Sequence, residues 1–185
     1  KITALFAASN IGKEISFNKL KTMTGLTSAT TIKEYFHYLE NSYLVFLISR
    51  YDVSLKKQIY TNKKVYFIDT KLAEIIGFRF SEDKGRLLEN VVFLQLKRMS
   101  KEIYFHKSKY ECDFIIKEKN RINQAFQVTW NLNDENYKRE TNGLLEAMEI
   151  YSMNSGTILT FAQEDEIELN GKYITMLPVW KWLLS

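Results

Sequence analysis

Residues 111–118, ECDFIIKE, alternate polar and apolar side chains, and residues 125–130, AFQVTW, repeat this alternation a few positions later. A period of two residues is typical of a β-strand with one buried face. We therefore predict two neighbouring strands, in which Asp113 points to the face where the second strand presents Gln127 and Thr129. The opposite, apolar face of the first strand carries Cys112, Phe114 and Ile116.

The elements around these two strands set the fold class of the second half of the chain. Periodicity and turn residues predict a helix over 86–99, a short strand at 103–106, a helix over 135–153, a buried strand at 157–161, a hairpin turn at Asn170-Gly171 and, starting near Pro178, a helix over 179–184. The order is α-β-β-β-α-β, followed by a hairpin and a helix. It favours an α+β fold with a mixed sheet.

The first half of the chain predicts three helices and a β-hairpin. The first helix covers residues 2–8, the second starts after Ser16 and stops at Gly25, and the third starts after Ser28. Strands are predicted at residues 43–49 and 65–68. This is winged-helix order, and the two helices across a short glycine turn suggest helix-turn-helix. A polar run at 81–85 places the boundary, which gives an N-terminal winged helix-turn-helix domain at 1–80 and a second domain at 81–185.

Composition limits the class of protein. The 185 residues are 45% hydrophobic and 14% aromatic, which is enough to bury a core and argues against disorder. A single cysteine excludes an internal disulfide framework and fits a reducing compartment. No uncharged apolar run approaches the roughly 20 residues of a membrane-spanning helix, and residues 1–10 lack a signal-peptide pattern. We therefore expect a cytoplasmic protein without a membrane partner.

Charge is distributed unevenly between the two halves. Residues 1–84 hold 13 lysines and arginines against 8 acidic residues, whereas residues 85–185 hold 13 against 14. A basic first half suits a polyanionic partner such as DNA, although solvation of the surface explains the same balance. The candidate DNA contacts are polar or basic residues of the third helix and of the wing, namely Thr30, Thr31, Lys33, Lys56, Lys57, Lys63 and Lys64. Packing or protein contact is the alternative role, since Glu34 and Glu40 interrupt the helix.

Glu89 lies in residues 87–94, LLENVVFL, a helical segment that is apolar on nearly every side. A buried carboxylate is costly unless it is paired or binds a cation. Asp113 is one candidate for sharing a site with it, and an arginine such as Arg86 or Arg139 is the alternative partner. Phosphate-binding loops, nucleophile elbows and zinc motifs are absent from the sequence.

Three segments carry a resemblance to a known family: GRLLEN at 85–90, ECDFII at 111–116 and FQVT at 126–129. Together they resemble the PD-(D/E)XK nuclease-like superfamily, and in particular the C-terminal region of unknown function of AAA+-like P-loop ATPases. In that branch an ATPase module is followed by a winged helix and a restriction-endonuclease-like domain. The Arg139-Glu140 pair and the ending LPVWKWLL at 177–184 add to a likeness that covers essentially the whole chain. It implies that an upstream ATPase module of the same polypeptide is a partner.

The resemblance also implies roles for five residues. Glu89 and Asp113 match the metal-binding acids of the pattern and would hold Mg²⁺. Gln127 and Thr129 stand where the pattern has an acid and a lysine, and Arg139, or Lys138 beside it, could supply the missing cation from the following helix. Because an amide brings no charge and a hydroxyl stabilises a developing phosphate charge only weakly, we do not expect robust cleavage. The expected function is nucleic-acid binding with a nuclease-like site, and the alternative is a non-catalytic adaptor for protein interaction.

Overall fold

A computed structural model describes residues 2–26, 28–77, 84–99 and 101–185. The chain divides into two compact units, Lys1–Asn90 and Val91–Ser185. The boundary that the sequence predicts, between residues 80 and 81, lies outside the described residues. Within the described ranges, eight helices and nine strands confirm the α+β class. No helix in those ranges is long and apolar enough to span a membrane.

Helices precede and flank a small antiparallel sheet in the first unit. Its strands run in the order β1-β3-β2. In chain order the elements are α1 (Ile2–Ala8), β1 (Glu14–Ile15), α2 (Phe17–Thr24), α3 (Ala29–Asn41), β2 (Val45–Arg50), α4 (Leu55–Tyr60), β3 (Lys63–Phe67) and α5 (Thr70–Ile76). Helix α6 (Lys84–Arg98) begins in this unit and continues into the second.

The predicted helix ends of the first unit are confirmed. The hydroxyl of Ser16 accepts a hydrogen bond from the N–H of Lys19, and that of Ser28 accepts one from the N–H of Thr30. Gly25 closes α2 with a φ of 68°, a left-handed conformation that glycine adopts without a Cβ clash.

Strand β1 and helices α4 and α5 were not predicted. Helix α4 occupies the connection between β2 and β3, where the sequence indicated only basic residues, and its N-cap is Ser54, whose hydroxyl accepts from the N–H of Lys57.

The second unit is built on six strands in the order β4-β5-β6-β7-β9-β8. Its elements are β4 (Glu102–Lys107), β5 (Glu111–Glu118), β6 (Arg121–Val128), α7 (Tyr137–Ile150), β7 (Ser155–Thr160), β8 (Asp165–Leu169), β9 (Lys172–Pro178) and α8 (Val179–Leu183). Strands β4, β5 and β6 are antiparallel, β6, β7 and β9 are parallel, and β8 and β9 form a hairpin. The sheet is therefore mixed, as predicted.

Two local features of the second unit agree with the sequence. Asn170 and Gly171 both have positive φ, 53° and 71°, as a two-residue type I′ hairpin turn requires. Strand β5 has the predicted bounds, and its apolar face is fully buried, including Cys112 and Phe114. Strand β6 begins at Arg121, four residues earlier than predicted.

Candidate functional site

Strands β5 and β6 stop pairing at the position of the predicted acid. The last paired residues at this end are Phe114 and Phe126, after which β6 continues alongside β7. Asp113 bridges the gap, because its Oδ2 accepts a hydrogen bond from the N–H of Val128 at 3.0 Å. The N–H of Asp113 donates in turn to Oε1 of Gln127 at 3.3 Å. Side chains thus satisfy main-chain groups where the sheet opens.

Gln127 connects the strands to helix α7. Its Nε2 donates to Oε2 of Glu140 at 2.5 Å, and Glu140 is almost completely buried. The other carboxylate oxygen of Glu140 accepts from Nε of Arg139 at 3.0 Å and from a second guanidinium nitrogen. We call the four residues Asp113, Gln127, Glu140 and Arg139 the polar network.

Burial raises the pKa of Glu140; the hydrogen bond from Arg139 opposes this rise, and the negative charge of Asp113 adds to it. The hydrogen bond and charge of Glu140 raise the pKa of Arg139, which therefore stays protonated. A raised pKa means that the folded chain keeps the Glu140 proton to higher pH than the unfolded chain does. The contribution of Glu140 to stability is consequently full below its unfolded value and declines as the pH rises through the folded one.

Gly143 allows the close approach that places Glu140 against the strands. A Cβ at this position would overlap the carbonyl oxygen of Glu111 on β5. Since that oxygen belongs to the backbone of a buried strand, only glycine fits without a shift of α7. Gly143 was not predicted to matter, although an isolated glycine inside a helical pattern is a recognised signal of close packing.

Thr129 lies outside the polar network. Its hydroxyl donates to the carbonyl of Asn131 at 3.3 Å and accepts from Nδ2 of Asn136, also at 3.3 Å. It therefore holds the loop that leads into α7. Of the predicted site residues in the second unit, the structure joins Asp113, Gln127 and, through Glu140, Arg139.

Glu89 has its own buried partners within the first unit. Its Oε1 accepts from Nζ of Lys64 at 3.2 Å and from the hydroxyl of Tyr66 at 2.6 Å. Lys64 is only 1% exposed. Gly12 covers the carboxylate with a φ of 69°, and a Cβ there would lie 2.8 Å from Oε2 of Glu89. A lysine therefore supplies a cation to this acid.

Two kinds of partner were predicted for Glu89, namely Asp113 in a shared site or an arginine such as Arg86 or Arg139. Arg86 donates to the carbonyl of Ile11 at 3.2 Å, and Arg139 binds Glu140. The signal for Lys64 was its spacing of two from Tyr66, which puts both on one face of β3. That Glu89 and Asp113 share a metal ion stays a prediction, because the two residues belong to different units.

Three of the predicted DNA contacts present exposed cations. Lys33 on α3 lies 5.9 Å from the ring centroids of both Phe17 and Tyr60. Lys56 and Lys57 are exposed on α4.

The remaining predicted contacts are less accessible or uncharged. Lys63 is half-buried, donates to the hydroxyl of Ser49 at 2.9 Å and has a pKa that burial lowers. Lys64 is buried beside Glu89 and so contributes nothing to an exposed basic surface. Thr30 is exposed and Thr31 half-buried on α3.

Metal-ligand chemistry is sparse in the described ranges. No group of three or more histidine, cysteine, aspartate or glutamate side chains there could hold a metal ion. Mg²⁺ prefers carboxylate oxygens and several waters in octahedral geometry. The predicted ligands are instead held by other protein groups, Asp113 by a backbone N–H and Glu89 by an ammonium and a hydroxyl. Each carboxylate, taken by itself, fits a magnesium ion poorly.

Comparison with known proteins places the chain among uncharacterized relatives. Residues 3–81 match the family model described as Domain of unknown function (DUF8612). An uncharacterized protein of Methanocaldococcus jannaschii is 32% identical over 192 aligned positions, which cover 98% of this chain and 42% of that protein. An uncharacterized protein of Haemophilus influenzae is 29% identical over 190 positions, which cover 100% and 46%. The chain thus spans less than half the length of either relative. No solved structure matches it.

Proposed function

We propose that this chain is a nucleic-acid-binding region of an AAA+-like ATPase, composed of a winged helix and a nuclease-like domain that does not cleave. The resemblance at residues 85–90, 111–116 and 126–129 supports the affiliation. The order α1-β1-α2-α3-β2-α4-β3, with an antiparallel β2–β3 pair, supports a winged helix that carries the additional helix α4 between its last two strands. The order α6-β4-β5-β6-α7-β7 is the α-β-β-β-α-β order expected for the second domain.

The hydrogen bonds within the polar network support the part of the proposal that concerns the lack of nuclease activity. Asp113 has an oxygen committed to the N–H of Val128, and Gln127 uses its amide to bind both Asp113 and Glu140. A group that must bind a cation and position water needs lone pairs that face an open site. Here these groups hold two strands and a helix together. The network is best explained as a structural element.

Cleavage is tested by incubating supercoiled DNA with the chain in the presence of Mg²⁺ or Mn²⁺, with Asp113→Ala in parallel. We expect no nicking with either metal ion. Nicking that is lost in Asp113→Ala would overturn the non-cleaving proposal.

Exposed lysines on α3 and α4 support the nucleic-acid part. Lys33, Lys56 and Lys57 would each neutralise one phosphate, so the logarithm of affinity for duplex DNA should fall with the logarithm of salt concentration with a slope of about −3. Replacing all three by glutamine should remove most of this slope. Lys13→Gln, an exposed control outside these helices, should not. Binding that does not respond to salt contradicts the proposal.

One observation favours the adaptor as a second candidate. Helix α4 and the residue before its cap leave apolar side chains in solvent, with Val53 93% and Leu55 68% exposed. Leu55 and Ile59 are four residues apart and so share one face of the helix. If this face docks on the ATPase module, replacing both by serine in the full-length protein should change the rate of ATP hydrolysis and leave DNA affinity unchanged. An unchanged hydrolysis rate rejects the adaptor.

A further inference from the structure

Aromatic residues follow three adjacent strand ends in the second unit. Strands β6, β7 and β9 are parallel, so their carboxyl ends lie at the same edge of the sheet. Trp130, Phe161 and Trp180 come one or two residues after these ends. In open sheets with parallel strands, ligands bind beyond the carboxyl ends. An exposed aromatic surface at this edge is therefore a candidate ligand-binding surface.

Trp130 and Phe161 form a fixed flat surface at this edge. Their rings stack with centroids 4.0 Å apart and an interplanar angle of 14°. The N–H of Phe161 donates to the carbonyl of Trp130 at 3.2 Å, so the backbone holds the pair in register. Phe161 nevertheless remains 50% exposed. A preorganised ring that is half in water can accept a further flat group at little entropic cost.

A cation lies on the helix that starts beside this pair. Asn136, the residue before α7, donates through Nδ2 to the carbonyl of Asn131 at 2.8 Å, which places the start of the helix next to Trp130. Arg139 follows three residues later, about 4.5 Å along the helix axis. Its side chain is 75% exposed although one edge binds Glu140. The guanidinium can therefore also contact a phosphate in solvent.

The net charge near the pair is small. On loops 129–136 and 161–164 and the first turn of α7, the exposed cations are Lys138 and Arg139, and the exposed acids are Asp134, Glu135 and Glu164, the last of which is paired with Lys181. A surface that binds nucleic acid chiefly through phosphates needs an excess of cations. Stacking on an aromatic ring needs none, and it tolerates any base because every base has a π-face. The local chemistry thus suits unpaired bases better than a duplex backbone.

We propose that the Trp130–Phe161 pair, with Arg139, binds an unpaired base of single-stranded nucleic acid and its neighbouring phosphate. The base stacks on the exposed part of Phe161, and Arg139 contacts the phosphate. This inference rests on the proposed nucleic-acid function and names single strands as the ligand of the second unit.

The test measures binding of a fluorescent oligothymidylate and of an abasic oligomer of equal length. Loss of one stacked base costs about 1–3 kcal/mol, so Phe161→Ala should weaken oligothymidylate binding by about 5- to 150-fold. Phe161→Tyr should restore binding, since it keeps the ring. Tyr173→Ala is the matched control, because Tyr173 is a 61% exposed aromatic near the opposite end of β9. It should bind as the unchanged chain does.

Two results would overturn the inference. One is equal affinity of the unchanged chain for the abasic and the thymidylate oligomers. The other is an equal affinity of Phe161→Ala and Tyr173→Ala for oligothymidylate. If salt-dependent duplex binding persists in either case, only the inference fails. If the chain binds neither duplex nor single strands, the proposed function fails as well.

Discussion

Gln127→Glu restores the acid that the nuclease pattern has at this position, and we predict that it destabilises the second unit. The amide of Gln127 both accepts from the N–H of Asp113 and donates to Glu140. A carboxylate can only accept. The substitution therefore removes the hydrogen that now lies between residues 127 and 140 and places two carboxylates next to each other in a buried site.

The cost follows from two terms. Loss of a hydrogen bond to a charged group costs about 1.5–3 kcal/mol. Two like charges about 3 Å apart repel by about 5 kcal/mol at an effective dielectric constant of about 20. Protonation of one carboxyl, movement of the side chains and the nearby Arg139 reduce the second term. We expect the free energy of unfolding to fall by about 3–5 kcal/mol near neutral pH, and by less in mild acid, where a shared proton replaces the amide hydrogen.

Urea unfolding followed by tryptophan fluorescence measures this loss, because Trp130, Trp180 and Trp182 all lie in the second unit. Gln124→Glu makes the same chemical change on the same strand at a half-buried position and should cost much less. A loss that equals that of Gln124→Glu, or one that grows as the pH is lowered, would refute the role we assign to Gln127.

Two further substitutions test other parts of the fold. Lys64→Met should lower the free energy of unfolding by about 3–5 kcal/mol, because it leaves the buried carboxylate of Glu89 without its ammonium partner. Urea unfolding followed by circular dichroism measures this loss. Adding Glu89→Gln to Lys64→Met should recover part of it. Gly143→Ala should lower the free energy of unfolding by at least about 1–3 kcal/mol, because the added Cβ overlaps the backbone of β5. Asn142→Ala on the same helix should lower it less in the same assay. Equal losses would contradict the close packing of α7 on β5.

The sequence was sufficient where a local rule determines the structure. The alternation of polar and apolar residues predicted both ends of β5 correctly. Serine caps and Gly25 predicted the ends of α2 and the start of α3, and Asn170-Gly171 predicted the turn of the last hairpin. Each of these signals acts over a few neighbouring residues. Strand β1 has only two residues and exists because β3 pairs with it, so no periodicity was available to predict it.

The candidate site was only partly predictable. Alternation placed Asp113 and Gln127 on facing strands, and the structure joins them directly. Glu140 was recognised only as part of the Arg139-Glu140 pair in the family resemblance, and its role in the site depends on the close packing of α7 on β5 that Gly143 allows. The partner of Glu89 was missed because Lys64 was interpreted as a wing residue, whereas the pairing of β3 between β1 and β2 directs it inward. The role of Glu140 and the direction of Lys64 both depend on contacts between elements far apart in the sequence, which residue type alone does not predict.

The burial of Cys112 makes the only thiol of the chain a natural reporter. It lies on the inner side of β5 and is 0% exposed, so alkylating reagents reach it only when that strand opens. The rate at which the Cys112 thiol is alkylated therefore measures how often the second unit opens around β5 under native conditions. For the same reason, a cysteine introduced at the exposed Ser108 would take up a fluorescent label selectively, with no need to remove the native residue first.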